Sequence, residues 1–102
     1  MKTIVALLAV SLPLANAAAA DPEALAKSSG CFACHTVDKK LVGPSYKDVA
    51  AKYRNDKSAA PKLAQKVKAG GKGVWGDVPM PPNGHVKDAD IQTIVQWILS
   101  LK

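Results

Sequence analysis

The sequence predicts an all-α fold of about four short helices. Three observations carry that expectation. Apolar residues recur at helical spacing near the C-terminus, with Ile91, Ile94, Val95, Ile98 and Leu99 at i, i+3, i+4, i+7 and i+8. Caps, prolines and glycines punctuate the rest of the chain at helix-length intervals. No segment shows the alternation of apolar and polar residues that a half-buried strand requires.

The elements follow in order. Asp21-Pro22-Glu23 reads as a helix start, with a capping acid, a proline in the first turn and a further acid behind it. Ala24, Leu25 and Lys27 continue that helix, and Gly30 stops it. A second helix is expected over Tyr46 to Tyr53, with Tyr46, Val49, Ala50 and Tyr53 on one face. A third is expected to begin near Ala60-Pro61 and end before Gly70-Gly71, burying Leu63, Ala64 and Val67. The fourth is the C-terminal stripe, widened by Trp97 and Leu101, with Asp88 or Asp90 serving its first turn. Its apolar face should meet the first helix or a bound group.

The chain has 102 residues, and its first 20 read as an export signal. Lys2 gives a positive start, Ile4 to Leu14 is an apolar run broken only by Ser11 and Pro13, and alanine-rich A-x-A triplets follow. That run is too short for a membrane span, which needs about 20 residues. Cleavage is placed before Asp21, leaving one domain over residues 21–102. The full chain carries a net charge of +6; losing residues 1–20 removes one lysine and no acid, which leaves +5. A basic exported protein suits an acidic partner or an anionic surface better than nucleic acid, and no membrane-inserting segment remains. The expected location is the periplasm of a Gram-negative cell.

The most informative stretch is Cys31-Phe32-Ala33-Cys34-His35. C-x-x-C-H is the pattern through which haem is covalently attached. Two thiols at this spacing can add to the two vinyl groups of one porphyrin, and the next residue can offer iron an imidazole nitrogen. Cys31 and Cys34 are the only cysteines, so none is left for a structural disulfide. A domain this short needs a staple, and one attached haem c would supply it as an apolar plate for the helices.

Iron in such a haem has a second axial position. Met80 is the only methionine beyond Met1, and it sits in Val78-Pro79-Met80-Pro81-Pro82-Asn83. Flanking prolines exclude helix and hold the backbone extended, a stiff strap able to present one side chain at a fixed place. His85 is the rival ligand, in the turn Asn83-Gly84-His85-Val86.

Other signals are weaker. Gly71-Lys72-Gly73-Val74-Trp75-Gly76 matches G-x-G-x-x-G but lacks a strand before it and a helix after it, which a dinucleotide site requires. Cys31, Cys34, His35 and His85 number four, as in a structural zinc site, but adjacency of Cys34 and His35 strains joint tetrahedral coordination. A thiol–disulfide oxidoreductase would want a βαβ pattern around its C-x-x-C. A peroxidase needs an open iron position, which Met80 would close.

In this order, Cys31 to His35, Val42-Gly43-Pro44, Gly73-Val74-Trp75-Gly76 and Pro79 to Asn83 resemble the short class I cytochromes c of bacteria, closest to the c-551/c-552 group. The resemblance spans residues 21–102. It implies a monomeric one-electron carrier, not an enzyme, with haem carried by Cys31 and Cys34 and ligated by His35 and Met80. It further implies a bond from His35 to the Pro44 carbonyl, an Asn83 bond near the Met80 sulfur and a Trp75 indole contact to a haem propionate. Donors and acceptors implied by the family are a quinol-oxidising complex, an oxidase, a nitrite reductase or a peroxidase. Some of lysines 39, 40, 66, 68 and 72 are expected to ring the exposed haem edge and to steer an acidic partner. Three positions depart from the pattern. Lys66 replaces an arginine and with it a two-pronged propionate clamp. Ala26 replaces a phenylalanine, implying looser packing over the first helix. The Gly84-His85 turn is one residue longer.

Overall fold

Asp21 begins the first helix by accepting a hydrogen bond from the Glu23 amide at 3.1 Å. In this computed structural model, which describes residues 21–102 together with Thr3 and Ala6, four α-helices follow: α1 Pro22–Ser28, α2 Tyr46–Tyr53, α3 Ala59–Ala69 and α4 Asp88–Ser100. Apart from Thr3 and Ala6, the expected export signal lies outside the described residues. Among those residues the only β pairing is one isolated antiparallel bridge between Gly71 and Met80. No helix among them is long and apolar enough to cross a membrane.

Local chemistry accounts for each helix. Pro22 and Glu23 occupy the first turn of α1, where a missing amide costs nothing and a carboxylate meets the positive end of the helix dipole. Ser45 caps α2, its hydroxyl accepting from the Asp48 amide at 3.1 Å. Before α3, Asp56 Oδ1 accepts from the Ser58 amide at 2.9 Å and the Ser58 hydroxyl at 2.6 Å. That helix starts at Ala59, one residue earlier than the Ala60-Pro61 signal suggests. Asp88 and Asp90 both stand in the first turn of α4, without a side-chain cap from Lys87.

The core is built around α4, which packs on α1, α2 and α3. Ile91, Ile94, Val95 and Ile98 are all buried, each contributing about 2 kcal/mol of transfer free energy. One cluster joins Ile94 and Ile98 to Ala26, Tyr46 and Val49; a second joins Ile91 and Val95 to Val86. Ala26 is 0% exposed. It lies inside the α1–α4 contact, beside Ile94 and Ile98.

One element lies outside the periodic pattern. Gly30 turns at φ 88°, and Cys31–Ala33 form a single 3₁₀ turn. The Cys31 carbonyl accepts from the amides of both Cys34 and His35, at 3.2 and 3.0 Å. This turn sets the spacing of the site.

Candidate haem site

The 3₁₀ turn delivers Cys31, Cys34 and His35 together. The loop that follows folds back on them: the Gly43 amide donates to the Cys34 carbonyl at 2.7 Å, and the Tyr46 amide to the Thr36 carbonyl at 2.9 Å. His35 Nδ1 lies 2.8 Å from the Pro44 carbonyl oxygen. A carbonyl only accepts, so Nδ1 carries the proton and neutral His35 has its free lone pair on Nε2. The imidazole is also stacked on Tyr46, with ring centroids 5.0 Å apart and planes 19° from parallel.

Tyr46 is the hub of this corner. Phe32 and Trp97 meet its ring edge-on, at 5.8 and 5.6 Å between centroids. Cys31 packs against the core cluster that contains Tyr46. Burial first, and then the neighbouring Cys31, hold the Tyr46 phenol far above its ordinary range. Burial likewise pushes the Cys31 thiol up, and the nearby Tyr46 hydroxyl offsets part of that. Helical spacing marks Tyr46 as a core residue; its service to His35 and Cys31 has no signature in the sequence.

Met80 comes from the opposite side. Its amide donates to the Gly71 carbonyl at 2.8 Å, and its carbonyl accepts from the Gly71 amide at 3.0 Å. Gly70 makes the turn beneath it at φ 73°, where a Cβ would stand 2.5 Å from the Met80 oxygen. Asn83 fastens the far end of the strap to α3. Its backbone amide reaches the Val67 and Lys68 carbonyls at 3.1 and 3.2 Å. Its side-chain amide donates to Val67 O at 3.1 Å and Pro81 O at 3.2 Å. Both contacts are to backbone carbonyls, one on α3 and one within the strap.

Between the two sides lies a cavity of about 610 Å³. Cys34, His35, Pro44, Trp75 and Met80 all line it. Cys31 packs beside it against the α1–α4 core cluster. Val42, Val74 and Val78 line the cavity while remaining 53%, 49% and 65% exposed. Apolar side chains left open around a concave site, with a bare imidazole nitrogen and a thioether on its walls, fit a flat apolar metal-bearing ring. Trp75 is held at the rim, with Lys52 Nζ 5.6 Å from its ring centroid. Lys66 also lines the cavity, its side chain lying across Gly71.

His85 is exposed and does not line the cavity. Among the described residues no three or more His, Cys, Asp or Glu side chains come together in a metal-holding group, so the zinc set does not assemble. Lys68, one of the five candidate lysines for the partner surface, is engaged within the molecule by Asp88 and the Val86 carbonyl. Lys40, Lys66 and Lys72 do reach the cavity.

Comparison with known proteins agrees with this geometry. The family model described as cytochrome c matches residues 19–102. The chain is 52% identical to cytochrome c-551 of Pseudomonas aeruginosa over 100 residues, covering 97% of this chain and 95% of that protein. It is 52% identical to cytochrome c-552 of Nitrosomonas europaea over 94 residues, covering 92% and 90%. The crystal structure of wild-type Nitrosomonas europaea cytochrome c552 superimposes with a TM-score of 0.76 at 54% identity, over 78% of this chain and 99% of that one. The chain belongs to the cytochrome c family, electron carriers with covalently attached haem c and not enzymes.

Proposed function

We propose that residues 21–102 form a periplasmic one-electron carrier, exported by residues 1–20, in which Cys31 and Cys34 hold the haem and His35 and Met80 are its axial ligands. The observation that carries this reading is the pairing of His35 Nδ1 with the Pro44 carbonyl. It leaves Nε2 free on the wall of the cavity that Met80 also lines. When bound, haem supplies an iron that cycles between the ferric and ferrous states.

The protein's part is to tune and shield that exchange. The Pro44 carbonyl fixes the imidazole tautomer and raises its basicity. The Met80 thioether, a soft ligand, raises the potential relative to a second histidine. Tyr46 behind His35, and Gly70 and Gly71 behind Met80, hold both ligands rigidly, which keeps reorganisation small. Trp75 stands at the rim with an indole N–H able to meet a propionate. Lys40, Lys66 and Lys72 favour an acidic redox partner: a quinol-oxidising complex as donor and an oxidase, nitrite reductase or peroxidase as acceptor.

The test is a pair of holoprotein variants. Met80→Ala should lose the sulfur-to-iron absorption band, lower the potential and bind small ligands, while His85→Ala should change none of these. Exchange of the two outcomes would give the ligand role to His85.

A further inference from the structure

We propose that Lys68 is a positioning residue for Met80, a latch at the foot of the strap; this rests on Met80 being an iron ligand. Lys68 touches the strap twice. Its backbone carbonyl accepts from the Asn83 amide at 3.2 Å. Its ammonium donates to the Val86 carbonyl at 2.8 Å and pairs with Asp88 Oδ1 at 2.9 Å. One side chain therefore ties together the end of α3, the exit of the strap and the first turn of α4.

Past Asn83, few contacts hold the chain. Backbone bonds to α3 stop at Asn83, and Gly84 and His85 are exposed. Beyond Asn83 the chain is held by the Val86 amide, which donates to the Asn83 carbonyl at 3.1 Å, by the Val86 side chain, buried against Ile91 and Val95, and by the Lys68 ammonium on the Val86 carbonyl. Pro81 and Pro82 stiffen the backbone between Met80 and Asn83. Release of Val86 therefore loosens the turn that it closes on the Asn83 carbonyl, and with it the anchor of the strap that carries Met80. A bond to the Val86 carbonyl is charge-assisted and half-buried, whereas the Asp88 carboxylate is 80% exposed and screened. The carbonyl bond is thus the part that matters.

Stopped-flow binding of imidazole to the ferric holoprotein reads strap opening, because Met80 must leave first. Lys68→Met keeps the aliphatic stem and removes both contacts; it should speed binding about tenfold, the scale of one charge-assisted hydrogen bond. Asp88→Asn keeps the carbonyl bond and should change the rate less than about threefold. Lys68→Arg should restore most of the slow rate. Global unfolding, followed by far-ultraviolet circular dichroism, separates a local latch from general destabilisation. A Lys68→Met protein with a lowered unfolding midpoint but an unchanged imidazole rate would overturn the latch. Met80→Ala sets the fast limit: a wild type already at that limit would overturn the ligand reading and the latch with it, whereas a slow wild type matched by Lys68→Met would overturn the latch alone.

Discussion

Gly43 lies against the face of His35 so closely that a Cβ on it would stand 2.5 Å from Cε1 and 2.8 Å from Nδ1 of the imidazole. The ring has no easy retreat, since Tyr46 stacks on it and the Pro44 carbonyl holds its Nδ1. Gly43→Ala must therefore displace the imidazole or the loop. Overpacking of this kind costs about 2 kcal/mol, and the thermal midpoint of the holoprotein should fall by about 10 °C for a domain of this size. Calorimetry on the holoprotein checks it; a midpoint within about 2 °C of the wild type would mean that the loop gives way freely.

Folding should depend on the attached haem. Ordering residues 21–102 costs about 1.5 kcal/mol per residue, and the buried apolar core is a short list of side chains from α1, α2, α4 and Val86 with the alanine at the start of α3. The cavity of about 610 Å³ separates the His35 side from the Met80 side. None of the described residues fills it. The double variant Cys31→Ser, Cys34→Ser should be largely unfolded at 25 °C. A far-ultraviolet circular dichroism spectrum with the full helical signal of the holoprotein would refute the dependence.

The parts of this architecture written locally in the chain are the parts that sequence reasoning reaches. The span Tyr46–Tyr53 of α2 and the buried stripe of α4 match their periodicity because caps and apolar spacing act within a few residues. C-x-x-C-H is equally local. The 3₁₀ turn at Cys31–Ala33 has no periodicity to betray it. Lys68 looks like a free surface charge because its partners lie 18 and 20 residues away, and only the return of the strap brings them near. Asn83 likewise finds its carbonyl at Val67 across a separation of 16 residues. Tyr46 is legible as core, but what stands on its other faces depends on where two loops and two helices meet.

Asp56 gives a pH signature outside the haem site. Hydrogen bonds from the Ser58 hydroxyl and amide, with a smaller contribution from Lys62, hold its carboxyl below the ordinary carboxylate range. A depressed carboxylate stabilises the fold above its unfolded pKa of about 4, and that contribution disappears as pH falls through the lower folded value. Asp56→Asn keeps the acceptor and removes the charge. The variant should be slightly less stable than the wild type at pH 7, and the two should converge toward acid. Urea unfolding at a series of pH values measures the gap; a gap that persists undiminished below the folded pKa would show that charge is not its source.

The last prediction concerns encounter with redox partners. Lys40, Lys66 and Lys72 line the cavity, and the exposed Val42, Val74 and Val78 lie among them. A positive rim around an apolar centre steers negative partners and repels positive ones, through a field that salt screens over about 10 Å at 0.1 M. Lys68 is excluded from this rim because Asp88 neutralises it, and Lys47 because it pairs with Asp38 at 2.6 Å. Oxidation of the ferrous protein by ferricyanide, a small anion, should therefore slow as ionic strength rises, whereas oxidation by a tris(phenanthroline)cobalt(III) cation should quicken. The double variant Lys40→Gln, Lys72→Gln should lose several-fold in the low-salt ferricyanide rate and approach the wild type at high salt. Its potential should be measured alongside, since removal of two positive charges near the haem also changes the driving force, and the comparison holds after that correction. A ferricyanide rate that stays flat or rises with added salt would leave these lysines with solubility as their only role.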